Sequence, residues 1–195
     1  MIGVLALQGG VTPHLRVLES IGLQAAPVRT PEELRRADGL VLPGGESGAQ
    51  LRLIARHGLE GALRDFAAAG RPMLCTCAGL ILAAKKVTGP EQWSLGLLDV
   101  DVERNAYGRQ LESFEATGDG MRMVFIRAPR ITRAGSVEVL ARFNGEPVLV
   151  RQGKVVGAAF HPELASETAV HRMAFGAWCS PGVTGSPRCS TPYFF

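Results

Sequence analysis

The sequence lacks the features that would place it in several specialised classes of protein. No apolar run reaches the ~20 residues that a transmembrane helix needs. The formal net charge is only +3 and the Lys and Arg residues are scattered, which disfavours nucleic acid as a partner. Only four cysteines occur, and their spacing fits neither a disulfide framework nor a metal site. We therefore expect neither metal nor cofactor. Free thiols and the absence of a basic leader favour a cytoplasmic location.

What the sequence does contain is a series of short apolar runs that alternate with helical segments. Its 195 residues, 46% of them hydrophobic and 20% charged, suit a single globular domain. Strands are predicted at residues 2–7, 23–28, 39–42 and 73–74, and the first of these is continuously apolar, as expected for a strand buried on both faces. Helices are predicted to begin at Thr12-Pro13, at Thr30-Pro31 and after Ser47. This alternation predicts an α/β fold with a doubly wound, mostly parallel mixed sheet flanked by helices.

The second half of the chain has the alternating pattern of short antiparallel strands. They are predicted at residues 95–102, 109–116, 122–126, 137–143, 147–151 and 154–160, with Asn144-Gly145 as a hairpin turn. A final helix is predicted at residues 166–177. We expect the domain to span residues 1–175. Residues 176–195 are rich in Gly, Pro and Ser, and we expect them to form an atypical, poorly ordered tail.

Cys77 is the candidate nucleophile of the chain. It lies where the strand at residues 73–74 turns into a helix predicted over residues 78–86. Such a turn lifts its central side chain above the carboxyl edge of a sheet, and the first N–H groups of the helix have no partner within it. This is the arrangement of a nucleophile elbow, with cysteine in place of serine. A buried structural cysteine at a strand end is the alternative, and this segment alone leaves both open.

Two further side chains complete a candidate triad. His161 follows the last strand and would serve as the base, with Glu163 holding the imidazole in the required tautomer. Ligands of doubly wound sheets bind at the carboxyl ends of strands. The loops at Gln8 and at Gly44-Gly45 share that edge, so the N–H groups of Gly45 and Ala78 could stabilise an oxyanion. The other histidines, His14, His57 and His171, are predicted to be structural, because each falls in a surface helix or at its end.

Six stretches of sequence carry a resemblance to a known family. In order along residues 1–175 they are GVLALQGG, GLVLPGGES, PMLCTCAGLIL, GLLDVDVERNAYGRQLESFEA, FIRAP and AFHPEL. With them the chain resembles the class I (triad) glutamine amidotransferases, and among these the glutaminase subunits of pyridoxal 5′-phosphate synthase. ERNAYGRQ and FIRAP distinguish that subfamily. The resemblance implies a flavodoxin-like fold. It also implies hydrolysis of L-glutamine to L-glutamate and ammonia through a thioester on Cys77.

The resemblance also implies a set of binding residues and a partner. Contacts to glutamine are implied at Gly45, Glu46, Ser47, Arg104, Ile126 and Arg127. An arginine such as Arg104 suits the substrate carboxylate, although a solvated strand-end charge is the alternative. Gln8 and Gly44 match positions that support the oxyanion site. The implied partner is a separate synthase subunit in a large ring-shaped hetero-oligomer, with neither nucleic acid nor membrane involved.

The chain departs from the family pattern at three places. Cys75 stands where the family usually has glycine, Gly48-Ala49 replaces threonines, and the tail lacks the expected apolar helix face. Two other interpretations stay open: a glutaminase of another amidotransferase, such as imidazole glycerol phosphate synthase, and a non-catalytic binding subunit. A cysteine peptidase is disfavoured, because the Gly44-Gly45 loop and Arg104 suit a small amino acid better than a peptide.

Overall fold

The computed structural model describes residues 1–106, 113–165 and 167–176. The first half of the chain alternates strands and helices. Its strands are β1 (Ile2–Leu5), β2 (Ala25–Val28), β3 (Gly39–Leu42) and β4 (Met73–Thr76). Its helices are α1 (Val11–Ser20), α2 (Pro31–Arg35), α3 (Ser47–Arg56), α4 (Leu59–Ala68) and α5 (Ala78–Ala83). The predicted tail lies outside the described residues except for Gly176, as does the beginning of the strand predicted at 109–116.

The second half is dominated by strands. They are β5 (Ala84–Thr88), β6 (Leu98–Glu103), β7 (Phe114–Gly118), β8 (Met121–Phe125), β9 (Arg130–Ala134), β10 (Glu138–Phe143), β11 (Glu146–Gln152) and β12 (Val155–Ala158). A 3₁₀ helix (Pro162–Leu164) and α6 (Ala169–Phe175) follow β12. No helix among the described residues is both long and apolar enough to cross a lipid bilayer.

A seven-stranded sheet in the order β10-β11-β12-β4-β3-β1-β2 forms the centre of the protein. Strands β12, β4, β3, β1 and β2 pair in parallel, whereas β10 and β11 add on antiparallel at one edge. Every residue of β1, β3, β4 and β12 is buried, as their continuous apolar sequences require. The predicted doubly wound, mostly parallel α/β sheet is confirmed. Two smaller sheets, β5-β6-β9 and β7-β8, accompany the central sheet.

Two local predictions are confirmed by hydrogen bonds and dihedral angles. Thr30 caps α2 in a capping box, in which its side chain accepts from the Glu33 N–H and the Glu33 carboxylate accepts from the Thr30 N–H. Asn144 and Gly145 both have positive φ, 49° and 81°, and connect antiparallel strands β10 and β11. These angles are what a two-residue hairpin turn requires.

Two local predictions are wrong, and one strand was missed. Helix α1 begins at Val11 with Gly10 at the N-cap, so Thr12 is inside the helix and caps nothing. The helix after Cys77 ends at Ala83, because residues 84–88 pair with β6 as strand β5. Strand β9 was not predicted, since its polar sequence, RITRA, does not alternate clearly. It forms because its backbone pairs with β6.

Candidate active site

Cys77 is held in a strained backbone conformation between β4 and α5. Its φ of 49° and ψ of −103° lie in a region that non-glycine residues rarely adopt. The Cys77 N–H donates to the Ala158 carbonyl at 2.8 Å, and its own carbonyl accepts from the Ile81 N–H at 3.2 Å. Strand β12 and the first turn of α5 therefore fix the turn from both sides. Strain at a strand-to-helix turn is the property that exposes a nucleophile at an elbow.

The second thiol of the elbow, Cys75, is inside the sheet. It is completely buried in β4, opposite Leu42 of β3 and Gly157 of β12. Burial raises the pKa of the Cys75 thiol to about 12, so this sulfur is neutral and unreactive at neutral pH. The departure from the family glycine therefore adds a core thiol without adding a competing nucleophile.

His161 and Glu163 form the second part of the predicted triad. His161 Nδ1 lies 2.7 Å from Glu163 Oε1, and both side chains are buried. The His161 backbone N–H donates to the Val124 carbonyl at 2.8 Å, which anchors this loop to the end of β8. Pro162 occupies the first position of the 3₁₀ helix and stiffens the link between the two side chains. The sequence prediction of this pair agrees with the geometry.

The electrostatics of the pair favour a charged imidazole. Burial by itself would lower the pKa of His161, but hydrogen bonds to Cys77 and Glu163 outweigh burial and raise it to about 10. For Glu163, burial acts to raise the pKa, yet His14 and the hydrogen bond from His161 dominate and lower it. Because Nδ1 is engaged by Glu163, Nε2 is the ring nitrogen left to act on Cys77. A protonated His161 between two acceptors is the partner that a cysteine thiolate needs.

The Gly44-Gly45 loop lies directly beside the sulfur and the imidazole. A β-carbon on Gly44 would come within 2.9 Å of His161 Nδ1 and within 3.4 Å of the Cys77 β-carbon. Gly45 has a φ of 155°, and a β-carbon there would lie 2.5 Å from Gln8 Oε1. Gln8 Oε1 accepts from the Glu46 N–H at 2.9 Å, and Gly10 N–H donates to the Gly44 carbonyl at 3.0 Å. These bonds join the two loops that were predicted to face the elbow.

A cavity of about 230 Å³ opens in front of Cys77 and His161. All six residues predicted to contact glutamine line it, together with Cys77 and His161. Ile81 and Asn105 also line the cavity, although neither was among the predicted site residues. Gln8, Gly44, Ala78 and Glu163 are outside its lining. Gly44 and Ala78 would contribute through their backbone groups, and Gln8 and Glu163 through the residues that they contact, Glu46 and His161.

Glu46 and Arg104 connect two walls of this cavity. Glu46 caps α3 by accepting from the Gly48 and Ala49 N–H groups, and its Oε1 lies 3.4 Å from Arg104 Nη2. The Arg104 side chain is only 18% exposed, so the alternative of a solvated strand-end charge is wrong for this residue. Ser47 is buried and donates to Gln92 Oε1 at 2.9 Å. The contact with Glu46 holds the guanidinium of Arg104 at the cavity wall, where it can pair with a substrate carboxylate.

The structure also places two histidines that the sequence prediction assigned to the surface. His14 and His171 are completely buried, so that prediction is wrong for both, whereas His57 is exposed at the end of α3. His14 lies four residues before the buried Leu18, on the face of α1 that packs on the sheet. Its Nε2 lies 3.4 Å from Glu163 Oε2. The helical spacing with Leu18 was the sequence feature that could have revealed this orientation.

Among the described residues, no group of three or more His, Cys, Asp or Glu side chains could hold a metal ion.

Comparison with solved structures identifies the architecture. A crystal structure of a glutamine amidotransferase matches with a TM-score of 0.84 and 45% identity, covering 90% of this chain and 97% of that chain. The structure of PurLQS from Thermotoga maritima matches at 0.69 with 16% identity over 90% of this chain and 97% of that one, which shows the fold alone. The protein therefore has the glutamine amidotransferase fold.

Sequence comparison then places the chain within one family. The model of the SNO glutamine amidotransferase family matches residues 4–176, and the chain belongs to that family. It is 54% identical over 179 residues to the pyridoxal 5′-phosphate synthase subunit PdxT of Geobacillus kaustophilus, covering 88% of this chain and 90% of that protein. It is 48% identical to the PdxT subunit of Thermotoga neapolitana, covering 88% and 95%. The resemblance found from the motifs is confirmed.

Proposed function

We propose that this chain is the glutaminase subunit of a pyridoxal 5′-phosphate synthase, and that it hydrolyses L-glutamine to L-glutamate and ammonia. One observation carries the proposal: a single cavity holds Cys77, His161 and Arg104 within the framework of an amidotransferase fold. The names of the relatives supply the pathway. The alternative is that the chain is the glutaminase of another amidotransferase. The active-site chemistry would then be the same, and only the partner that accepts the ammonia would differ.

The first half-reaction forms the thioester. The Cys77 sulfur attacks the carboxamide carbon of glutamine and forms a tetrahedral intermediate. The N–H groups of Gly45 and Ala78 stabilise its negative oxygen. His161 then gives its proton to the amide nitrogen, the C–N bond breaks, and ammonia leaves. Glu163 holds the imidazole in place through Nδ1, at 2.7 Å, while the charge changes.

The second half-reaction releases glutamate. A water molecule attacks the thioester carbon while neutral His161 accepts one of its protons. The second tetrahedral intermediate uses the same oxyanion site, and its collapse expels the Cys77 thiolate. His161 keeps the proton that it took from water, which restores the starting imidazolium and thiolate. In total one glutamine and one water give one glutamate and one ammonia.

Substrate recognition depends on the outer part of the cavity. Arg104 would pair with the α-carboxylate of glutamine, and the backbone of Ile126 and Arg127 would bind its remaining polar groups. Arg127 has a φ of 44°, so its peptide groups are turned away from the regular course of β8. Glu46 and Ser47 also line the cavity, where an acidic group suits the α-ammonium of an amino acid.

The ammonia requires an acceptor that this chain does not supply. We propose that a separate synthase subunit receives it, in a large ring-shaped hetero-oligomer located in the cytoplasm. The family and the relatives' names support the partnership. The assembly and the compartment follow from the family resemblance and from the free thiols.

The test is release of glutamate from L-glutamine by wild type and Cys77→Ala, each with and without the cognate synthase subunit. We expect turnover by wild type in the presence of the synthase and none by Cys77→Ala. Activity in Cys77→Ala would refute the thioester mechanism. A wild-type chain that binds the synthase but never releases glutamate would instead be a non-catalytic binding subunit. Turnover that is stimulated only by a different amidotransferase partner would favour the alternative pathway.

A further inference from the structure

A line of buried polar side chains extends from the triad into the protein interior. His14 of α1, His171 of α6 and Thr76 at the end of β4 are all completely buried. His14 Nδ1 lies 2.9 Å from His171 Nε2, and His14 Nε2 lies 3.1 Å from Thr76 Oγ1. These three side chains stand behind the triad, outside the residues that line the substrate cavity. None of them takes part in the mechanism given above.

The group that this line reaches is the free oxygen of the triad carboxylate. Glu163 uses Oε1 to bind His161, whereas its Oε2 is buried and has no regular hydrogen bond within the described part of the chain. A buried carboxylate oxygen without a donor is costly. The nitrogen that faces it is His14 Nε2, at 3.4 Å, and the two side chains are 0% and 1% exposed.

The Glu163 carboxylate, which needs a donor, favours one tautomer of His14, whereas Thr76 Oγ1, which accepts from the Gly44 N–H at 3.1 Å, is compatible with either. If Nε2 carries the proton, its N–H points to Thr76 Oγ1 and Glu163 Oε2, and Nδ1 accepts from the Nε2–H of His171. In the opposite tautomer, a lone pair of His14 would face the carboxylate. His171 would then keep a buried Nδ1–H, and that nitrogen has no partner among the described residues. In the first tautomer, His171 Nδ1 is an unpaired acceptor. In the opposite tautomer, His171 Nδ1 is an unpaired donor and the His14 lone pair also repels the carboxylate. The second arrangement costs more, so the geometry favours Nε2–H on His14.

We propose that His14 is a positioning residue for the glutaminase reaction: its Nε2–H holds the Glu163 carboxylate against His161, and His171 fixes the tautomer of His14 that does so. The inference rests on the triad of the proposed function. It extends the chain of contacts from the nucleophile through His161 and Glu163 to helices α1 and α6. Helix α6, at the end of the described chain, thereby contributes to the orientation of the catalytic base.

The charge states of the groups involved agree with this arrangement. Burial lowers the pKa of His14 and outweighs the opposing effect of Glu163, so the ring donates as a neutral imidazole at neutral pH. Burial likewise lowers the pKa of His171 to about 3. The ionisable groups facing Glu163 are therefore His14 from α1, His171 behind it from α6, and His161, which in turn contacts Cys77. Removal of His14 would raise the pKa of Glu163.

The experiment compares His14→Leu, His14→Gln and the exposed control His57→Gln in the presence of the synthase subunit. Rates are expressed per active site, counted by covalent labelling of Cys77 with a diazoketone analogue of glutamine. We expect His14→Leu to lower kcat about tenfold to a hundredfold, as loss of an outer partner of a functional histidine does. KM should stay within about threefold, because the ring does not line the cavity. The acid limb of the pH–rate profile should move to higher pH, because Glu163 then protonates more readily.

The other variants distinguish positioning from a merely structural function. His14→Gln can place an amide N–H towards Glu163, so it should recover most of kcat and the wild-type profile. His171→Leu should change kcat and the profile in the same direction as His14→Leu, because the preferred tautomer is lost. A fall in labelled sites with unchanged kcat per site and an unchanged profile would overturn the proposal. If wild type is inactive or Cys77→Ala is active, it is the proposed function that fails, and not this inference alone.

Discussion

Gly44 lies so close to His161 that a β-carbon at residue 44 would come within 2.9 Å of the imidazole Nδ1, and closer still to Cε1. The position of the His161 imidazole therefore depends on the absence of a side chain on the facing loop. A β-carbon on Gly44 would also lie 3.4 Å from the Cys77 β-carbon, so the loop backbone approaches Cys77 as well. Glycine at residue 44 therefore lets the loop backbone lie close to both Cys77 and His161.

Gly44→Ala should remove most of the activity while the chain stays folded. The added methyl must displace either the imidazole or the loop, and a shift of about 1 Å at a catalytic group can cost a hundredfold in kcat. Gly61→Ala is the matched control: residue 61 lies within α4, and nothing is within 4 Å of its β-carbon position. The control should keep full activity and gain about 0.5–1 kcal/mol of unfolding free energy. Near-normal kcat in Gly44→Ala would contradict the close approach.

The two cysteines of the elbow should differ sharply in their reactivity. Cys77 faces the cavity, whereas Cys75 is buried and has a pKa raised to about 12. With iodoacetamide at neutral pH, the native protein should be alkylated at Cys77 and not at Cys75, and Cys75 should react only after denaturation. Peptide mass spectrometry measures both sites. Cys75→Ala should keep activity within about threefold, since its thiol contributes packing only. Rapid labelling of Cys75 in the folded chain would refute its place in the sheet.

Arg104→Ala should raise KM for glutamine by about tenfold or more, because a charge-assisted hydrogen bond to the substrate contributes roughly 1.5–3 kcal/mol. The effect on kcat should be smaller, since the guanidinium binds a part of the substrate that does not react. Arg16→Ala, an exposed position on α1, is the control and should leave both constants unchanged. Steady-state kinetics with the synthase subunit provide the measurement. If kcat falls and KM does not rise, Arg104 acts on the chemistry and not on binding.

The raised pKa of His161 predicts how stability depends on pH. The folded state binds this proton more tightly than the unfolded state, with pKa values of about 10 and 6.5. The stabilisation is therefore fully present below pH 6.5 and is lost as the pH rises through 10. The unfolding free energy of wild type, measured by urea titration, should fall more steeply from pH 7 to pH 10 than that of His161→Gln. His57→Gln should follow wild type. Parallel pH dependences of wild type and His161→Gln would show that the imidazole is not stabilised as a cation.

Much of the active site was contained in local sequence patterns. The apolar runs of β1, β3 and β4 end at Gln8, Gly44 and Cys77, so the topology of a parallel sheet is sufficient to bring those three loops to one edge. His161 and Glu163 are two residues apart and follow the last central strand. Local spacing and one topological rule therefore predicted the triad and its facing loop.

The tertiary structure decided what those patterns could not. The helix predicted over residues 78–86 extends beyond Ala83, yet residues 84–88 form a strand because β6 offers a backbone to pair with. His14 and His171 are 157 residues apart, and no local pattern relates them to each other or to Glu163. Their burial follows from the packing of α1 and α6 on the sheet, and that burial keeps both rings neutral. Sequence patterns predicted the candidate reacting groups, and packing decided which buried side chains meet them, because contacts between distant segments exist only once the chain has folded.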